Sequence, residues 1–84
     1  MSSVPLKVYV KPGCPWCIQV VADLRANGYA FEQIDVIADR NAFAEMQRLS
    51  GQSSAPTVTF GDLVLADCGV PELRAFLQEH GIQP

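Results

Sequence analysis

A chain of 84 residues with 49% hydrophobic and 18% charged residues has the makeup of one small globular domain, residues 1–84, not of a disordered segment. Its net charge of −3 comes without a basic cluster, which excludes nucleic acid as the natural partner. No apolar stretch approaches the roughly 20 residues of a membrane span, so no membrane partner is expected.

The elements follow in chain order. Leu6-Lys7-Val8-Tyr9-Val10 alternates as a strand, and Lys11-Pro12-Gly13 breaks it. Pro15 suits a first helical turn, and Cys17, Val20, Val21 and Leu24 recur at helical spacing until Asn27-Gly28 ends the helix. Residues 31–36 read as a second strand. Asp39 caps a second helix with Ala42, Phe43, Met46 and Leu49 expected on its inner side, and Gly51 closes it. Thr57-Val58-Thr59-Phe60 and Leu63-Val64-Leu65-Ala66 flank Gly61-Asp62, a hairpin signal. Pro71 opens a last helix with Leu73, Phe76, Leu77 and His80 on its inner stripe, stopped by Gly81. Strand–helix–strand at the front implies a parallel pair, and the hairpin adds an antiparallel one. The expected fold is therefore α/β, a four-stranded mixed sheet in the order βαβαββα, with three helices on both faces and the Cys14 turn at one sheet edge.

Cys14-Pro15-Trp16-Cys17 carries the chemistry. Two thiols two residues apart at a strand-to-helix turn place the first sulfur at the helix N-terminus. Unpaired backbone N–H groups there carry partial positive charge and favour a thiolate. Such a pair in a βα setting reads as a redox dithiol. Zinc is a weaker reading, because four ligands are wanted and only Cys68 and His80 remain. A structural disulfide is weaker too, since so short a loop constrains the unfolded chain little. His80 is expected to sit near the carbonyl end of its helix, not to act as a base. Three cysteines, an odd number, suit a reducing compartment better than a secreted disulfide framework. Met1-Ser2-Ser3-Val4 lacks the charged and apolar regions of a secretion signal. A cytoplasmic monomer is the expectation.

Lys11-x-x-Cys14-Pro15-Trp16-Cys17 at the first turn and Ala55-Pro56 before the third strand resemble the glutaredoxin family within the thioredoxin fold. The resemblance implies a thiol–disulfide oxidoreductase that uses glutathione as co-substrate and holds no permanent cofactor. Cys14 would be the nucleophile and Cys17 the resolving thiol. Lys11 would meet the glycine carboxylate of glutathione, and Pro56 would be the family's cis-proline. Ala55 before it would offer backbone groups to the tripeptide as an added strand. Trp16 stands where the family usually has tyrosine. Gln52 falls near a common polar or basic glutathione contact, and Asp67 and Cys68 complete the implied glutathione site. Plainer readings stand beside these: Lys11 as a solvated strand end, Pro56 as a trans proline, Cys68 as a small buried hydrophobe. The implied potential is roughly −200 to −230 mV, and the implied partners are glutathione and disulfide-bearing or glutathionylated proteins.

The stretch Leu65-Ala66-Asp67-Cys68-Gly69-Val70-Pro71-Glu72 departs from the family pattern. It lacks a Gly-Gly pair, and Asp67 precedes the cysteine. Gly69 and Pro71-Glu72 look similar to small redoxins that serve ribonucleotide reductase and take electrons from thioredoxin reductase. An electron carrier served by a flavoprotein reductase is thus the alternative. An iron–sulfur cluster held between two subunits through Cys14 and glutathione is a third reading, which the stiff Pro15 turn disfavours.

Overall fold

The computed structural model describes residues 6–84, so the sequence reading of Met1–Val4 concerns residues outside this range. The elements are β1 (Leu6–Val10), α1 (Pro15–Ala26), β2 (Glu32–Asp35), α2 (Arg40–Ser50), β3 (Thr57–Phe60), β4 (Leu63–Leu65) and α3 (Val70–Glu79). The four strands form one mixed sheet in the order β2-β1-β3-β4. β1 runs parallel to β2, with Val8 opposite Gln33, and antiparallel to β3, with Val8 opposite Val58. β4 lies antiparallel to β3 along the edge.

Alternation along β1 divides the core between the two faces of the sheet. Leu6, Val8 and Val10 join Cys17, Val20, Val21 and Leu24 of α1 and Leu73, Phe76 and Leu77 of α3. Tyr9 points the other way and packs with Val36 and with Ala42 and Met46 of α2. The helices thus cover both faces, α1 and α3 on one and α2 on the other.

The helix signals read from the sequence operate here. Asp39 accepts from the N–H groups of Asn41 and Ala42 at 3.0 and 3.2 Å. Gly51 closes α2 at φ 71°, a left-handed conformation natural to glycine. Three side chains sit differently from expectation. Leu49 is 40% exposed, Phe43 is half-buried, and His80 lies exposed at the C-cap of α3 with its ring edge on Phe76. α2 buries a narrow stripe because a short helix on a small sheet face has room for little more than Ala42 and Met46. β2 is also shorter than expected, being an edge strand whose Glu32 and Gln33 face solvent. The Cys14 turn follows β1, a central strand, and so lies at the end of the middle of the sheet, not at an edge strand.

Candidate active site

Cys14 is the N-cap of α1. Its backbone is extended, and its Sγ accepts a hydrogen bond from the Cys17 backbone N–H at 3.3 Å. A donor aimed at sulfur from the first helical turn stabilises negative charge there. Pro15 follows without an N–H to satisfy, and Gly13 at φ 75° makes the turn from the strand. Cys14 is half-buried, whereas Cys17 is 3% exposed within the core. Burial first, and then the hydrogen bond with Cys14, pushes the Cys17 thiol up to about 12. The two sulfurs are therefore unlike in access, and the buried one holds its proton. All three cysteines are free thiols.

A second loop faces the dithiol. The Ala55–Pro56 bond is cis, and the Cys14 Sγ lies 3.8 Å from the Ala55 carbonyl oxygen. The Pro56 carbonyl oxygen accepts from the Cys68 N–H at 3.1 Å, and the Cys68 sulfur lies 3.8 Å from the same atom. Cys68 is 3% exposed, and burial first, with the carboxylates of Glu72 and Asp67 adding to it, pushes its thiol up to about 11. Three segments distant in the chain thus meet: residues 14–17, 55–56 and 67–69.

The remaining sequence-derived residues are placed as follows. Trp16 is 60% exposed and lines an open groove of about 750 Å3 with Gln19, Asp67, Gly69, Val70 and Glu72 among its walls. Lys11 accepts from the Cys14 N–H through its carbonyl, at 3.3 Å, while its ammonium rests 5.4 Å from the centre of the Phe43 ring. Gln52 lies in the loop ahead of Pro56. Its Nε2 reaches Ser50 Oγ, the Ser54 carbonyl and Thr57 Oγ1, each at 3.1 Å, and its Oε1 accepts from the Ser54 N–H. The amide of Gln52 therefore ties down its own loop. Glu72 was not singled out from the sequence as a site residue. Its Oε1 accepts from the Gly69 N–H at 2.8 Å, fixing the entrance to α3. The spacing of Gly69 and Glu72, N-cap to third helical position, was the available signal.

A dithiol at a helix N-terminus, set beside a cis-proline loop on a βαβαββα sheet, defines a redoxin of the thioredoxin fold. The thioredoxin-like protein BC3987 superposes with a TM-score of 0.78 at 32% identity, over 86% of this chain and 99% of that one. The Glutaredoxin family model matches residues 6–65. A glutaredoxin of Neisseria meningitidis is 38% identical over 76 residues, 89% of this chain and 87% of its own. The glutaredoxin-like protein NrdH-redoxin from Escherichia coli superposes with a TM-score of 0.71 at 25% identity, over 95% of this chain and 96% of that one. The chain belongs to the glutaredoxin family and is a thiol–disulfide oxidoreductase. Among the described residues no helix is long and apolar enough to cross a membrane.

Proposed function

We propose that this protein is a glutathione-dependent dithiol glutaredoxin that reduces protein disulfides and glutathione mixed disulfides. The inequality of the two sulfurs carries the reading: Cys14 is reachable and bonded to a helix N–H, and Cys17 is buried with its proton held tightly. The Cys14 thiolate attacks one sulfur of a substrate disulfide and the other sulfur leaves as a thiolate. The mixed disulfide is then resolved in one of two ways. Cys17 loses its proton and attacks Cys14 Sγ, closing the Cys14–Cys17 disulfide and expelling the second substrate thiolate. Alternatively, where the mixed disulfide is with glutathione, a second glutathione thiolate attacks the glutathione sulfur and frees Cys14. Two glutathione molecules reopen the Cys14–Cys17 disulfide in two exchanges, and oxidised glutathione leaves with the electrons balanced.

The backbone of Ala55 and Pro56 beside Cys14 supports binding of an extended peptide such as glutathione. Lys11 would take its glycine carboxylate after leaving the Phe43 ring, and Asp67 would face the γ-glutamyl ammonium. Glutathione acts as a co-substrate in this reading, with no permanently bound group, and a reducing compartment such as the cytoplasm suits it. The test is turnover of a glutathionylated substrate with glutathione and glutathione reductase. Activity above background is expected, and its absence would remove the reading.

One observation favours a second reading, a carrier reduced by thioredoxin reductase. Near the γ-glutamyl end, the Cys68 N–H is engaged by Pro56 and the Gly69 N–H by Glu72. Those two amide donors are occupied, which weakens capture of a glutathione carboxylate there. If the reductase cannot reduce the Cys14–Cys17 disulfide, this second reading goes.

A further inference from the structure

The groove beside the dithiol has a polarity that the thiol chemistry does not require. Its charged lining residues are Asp67 and Glu72, both acidic, and both exposed. Its wall on the α1 side is Trp16, a large aromatic left 60% exposed two residues along from Cys14. The aromatic ring and one carboxylate both come close to Gly69. A methyl group added to Gly69 would stand 3.7 Å from Trp16 Cδ1 and 3.1 Å from Glu72 Oε1. Glycine at 69 therefore adds no side chain to the wall that the indole and the carboxylate share.

An aromatic ring beside a carboxylate is the pairing that receives a guanidinium or ammonium group. The ring attracts the cation through its quadrupole and the carboxylate through charge. An anionic side chain meets repulsion from both Asp67 and Glu72. We propose that this groove selects protein substrates whose disulfide is flanked by a basic residue, with the Arg or Lys side chain seated between Trp16 and Glu72 and facing Asp67. The inference rests on the thiol-exchange reading and names the substrate class of that site. It does not depend on which reductant regenerates the dithiol.

The test is single turnover without glutathione or reductase, with the reduced protein as the only reductant. Three disulfide peptides are compared, identical but for Arg, Ala or Glu two residues from the reacting cysteine. In each, the peptide disulfide is reduced to two thiols as the Cys14–Cys17 pair is oxidised. The Arg peptide is expected to react on the order of tenfold faster than the Glu peptide at low salt, with Ala between them. That ratio should shrink as salt is raised. The double variant D67N/E72Q should bring it close to one. Asn tolerates the φ of 53° at position 67, and Gln keeps an acceptor for the Gly69 N–H, so both changes remove charge with little else. Removing the same charges far from the groove, in D62N/E79Q, should leave the ratio standing. Equal rates for Arg and Glu peptides in the unmodified protein would overturn the inference alone. So would a preference untouched by D67N/E72Q. No reaction with any peptide would remove the exchange reading and this inference together.

Discussion

The backbone N–H of Cys17 points at the sulfur of Cys14, 3.3 Å away, while the thiol of Cys17 is sealed in the core. One residue thus supports the Cys14 sulfur, the nucleophile of the proposed mechanism, through its backbone and keeps its own sulfur buried. The arrangement follows from helix geometry, because position 17 is one turn along from the cap and faces inward with Val20, Val21 and Leu24. Replacing Cys14 with Ser is expected to reduce disulfide exchange to background. Cys17→Ser should keep deglutathionylation, which needs one thiol, and lose reduction of protein disulfides, which needs two. The two assays run on the same preparations check the division of roles, and equal loss in both would contradict it.

Access should separate the three thiols. Brief alkylation of the reduced native protein is expected to add one label, at Cys14, because Cys17 and Cys68 are each 3% exposed. Alkylation in denaturant should add three. Peptide mass mapping reads the result, and rapid native labelling of Cys68 would contradict its placement against Pro56.

The same burial makes the fold sensitive to alkali. Cys17 and Cys68 are raised to about 12 and about 11 from ordinary thiol values near 9. Below pH 9 these thiols keep their protons in both folded and unfolded chains, so their contribution to stability is fully present. Above it the unfolded chain releases protons that the folded chain retains, and stability falls with rising pH until the folded thiols also ionise. Denaturant midpoints of the reduced protein should therefore decline from about pH 9 toward pH 12. Cys68→Ala should cost roughly 1–2 kcal/mol at neutral pH through the lost sulfur. It should also flatten the part of the decline below about pH 11, and an unchanged slope would count against this account.

Much of this was legible in the sequence because it is written in local signals. Pro15, Asp39, Gly51 and Pro71 act within one helical turn of themselves, and the alternation of residues 6–10 assigns both faces of β1 without knowledge of any partner. Glutamine 52 shows the limit. Its polarity was visible, but its bonding to Ser50, Ser54 and Thr57 depends on how the loop folds back before Pro56. Leu49 shows another, since helical spacing places it on the inner side of α2 while the small sheet face stops short of covering it. The acidic groove was not legible as a unit, because Trp16 and Glu72 come together only when α3 packs beside α1.

Tyr9 and Glu45 form another contact of that long-range kind. Tyr9 is fully buried under α2, and its hydroxyl donates to Glu45 Oε1 at 2.5 Å, joining the central strand to the helix. Burial first, and then this bond, pushes the phenol up to about 12. Tyr9→Phe keeps the ring and removes the donor, and it should lower stability by about 1.5 kcal/mol. Exchange rates should be unaffected, since the bond lies on the face of the sheet away from α1. Thermal unfolding and single-turnover reduction on the same sample check both parts.

Gln52 separates a scaffold from a ligand contact. If its role were to touch glutathione, Gln52→Ala would raise the KM for glutathione and leave stability alone. Its amide instead holds the loop that delivers Ala55 to Cys14, through bonds on both its nitrogen and its oxygen. Gln52→Ala is therefore expected to lower stability by about 1–2 kcal/mol as well as raise KM, because partly buried partners on Ser50 and Thr57 lose their bonds. Gln52→Glu keeps the acceptor for the Ser54 N–H but cannot donate to Ser50, Ser54 or Thr57. It should destabilise at least as much as alanine by setting a carboxylate against their oxygens. Unfolding midpoints for both variants decide the matter: a rise in KM with unchanged stability would move Gln52 from the loop's framework to the ligand's surface.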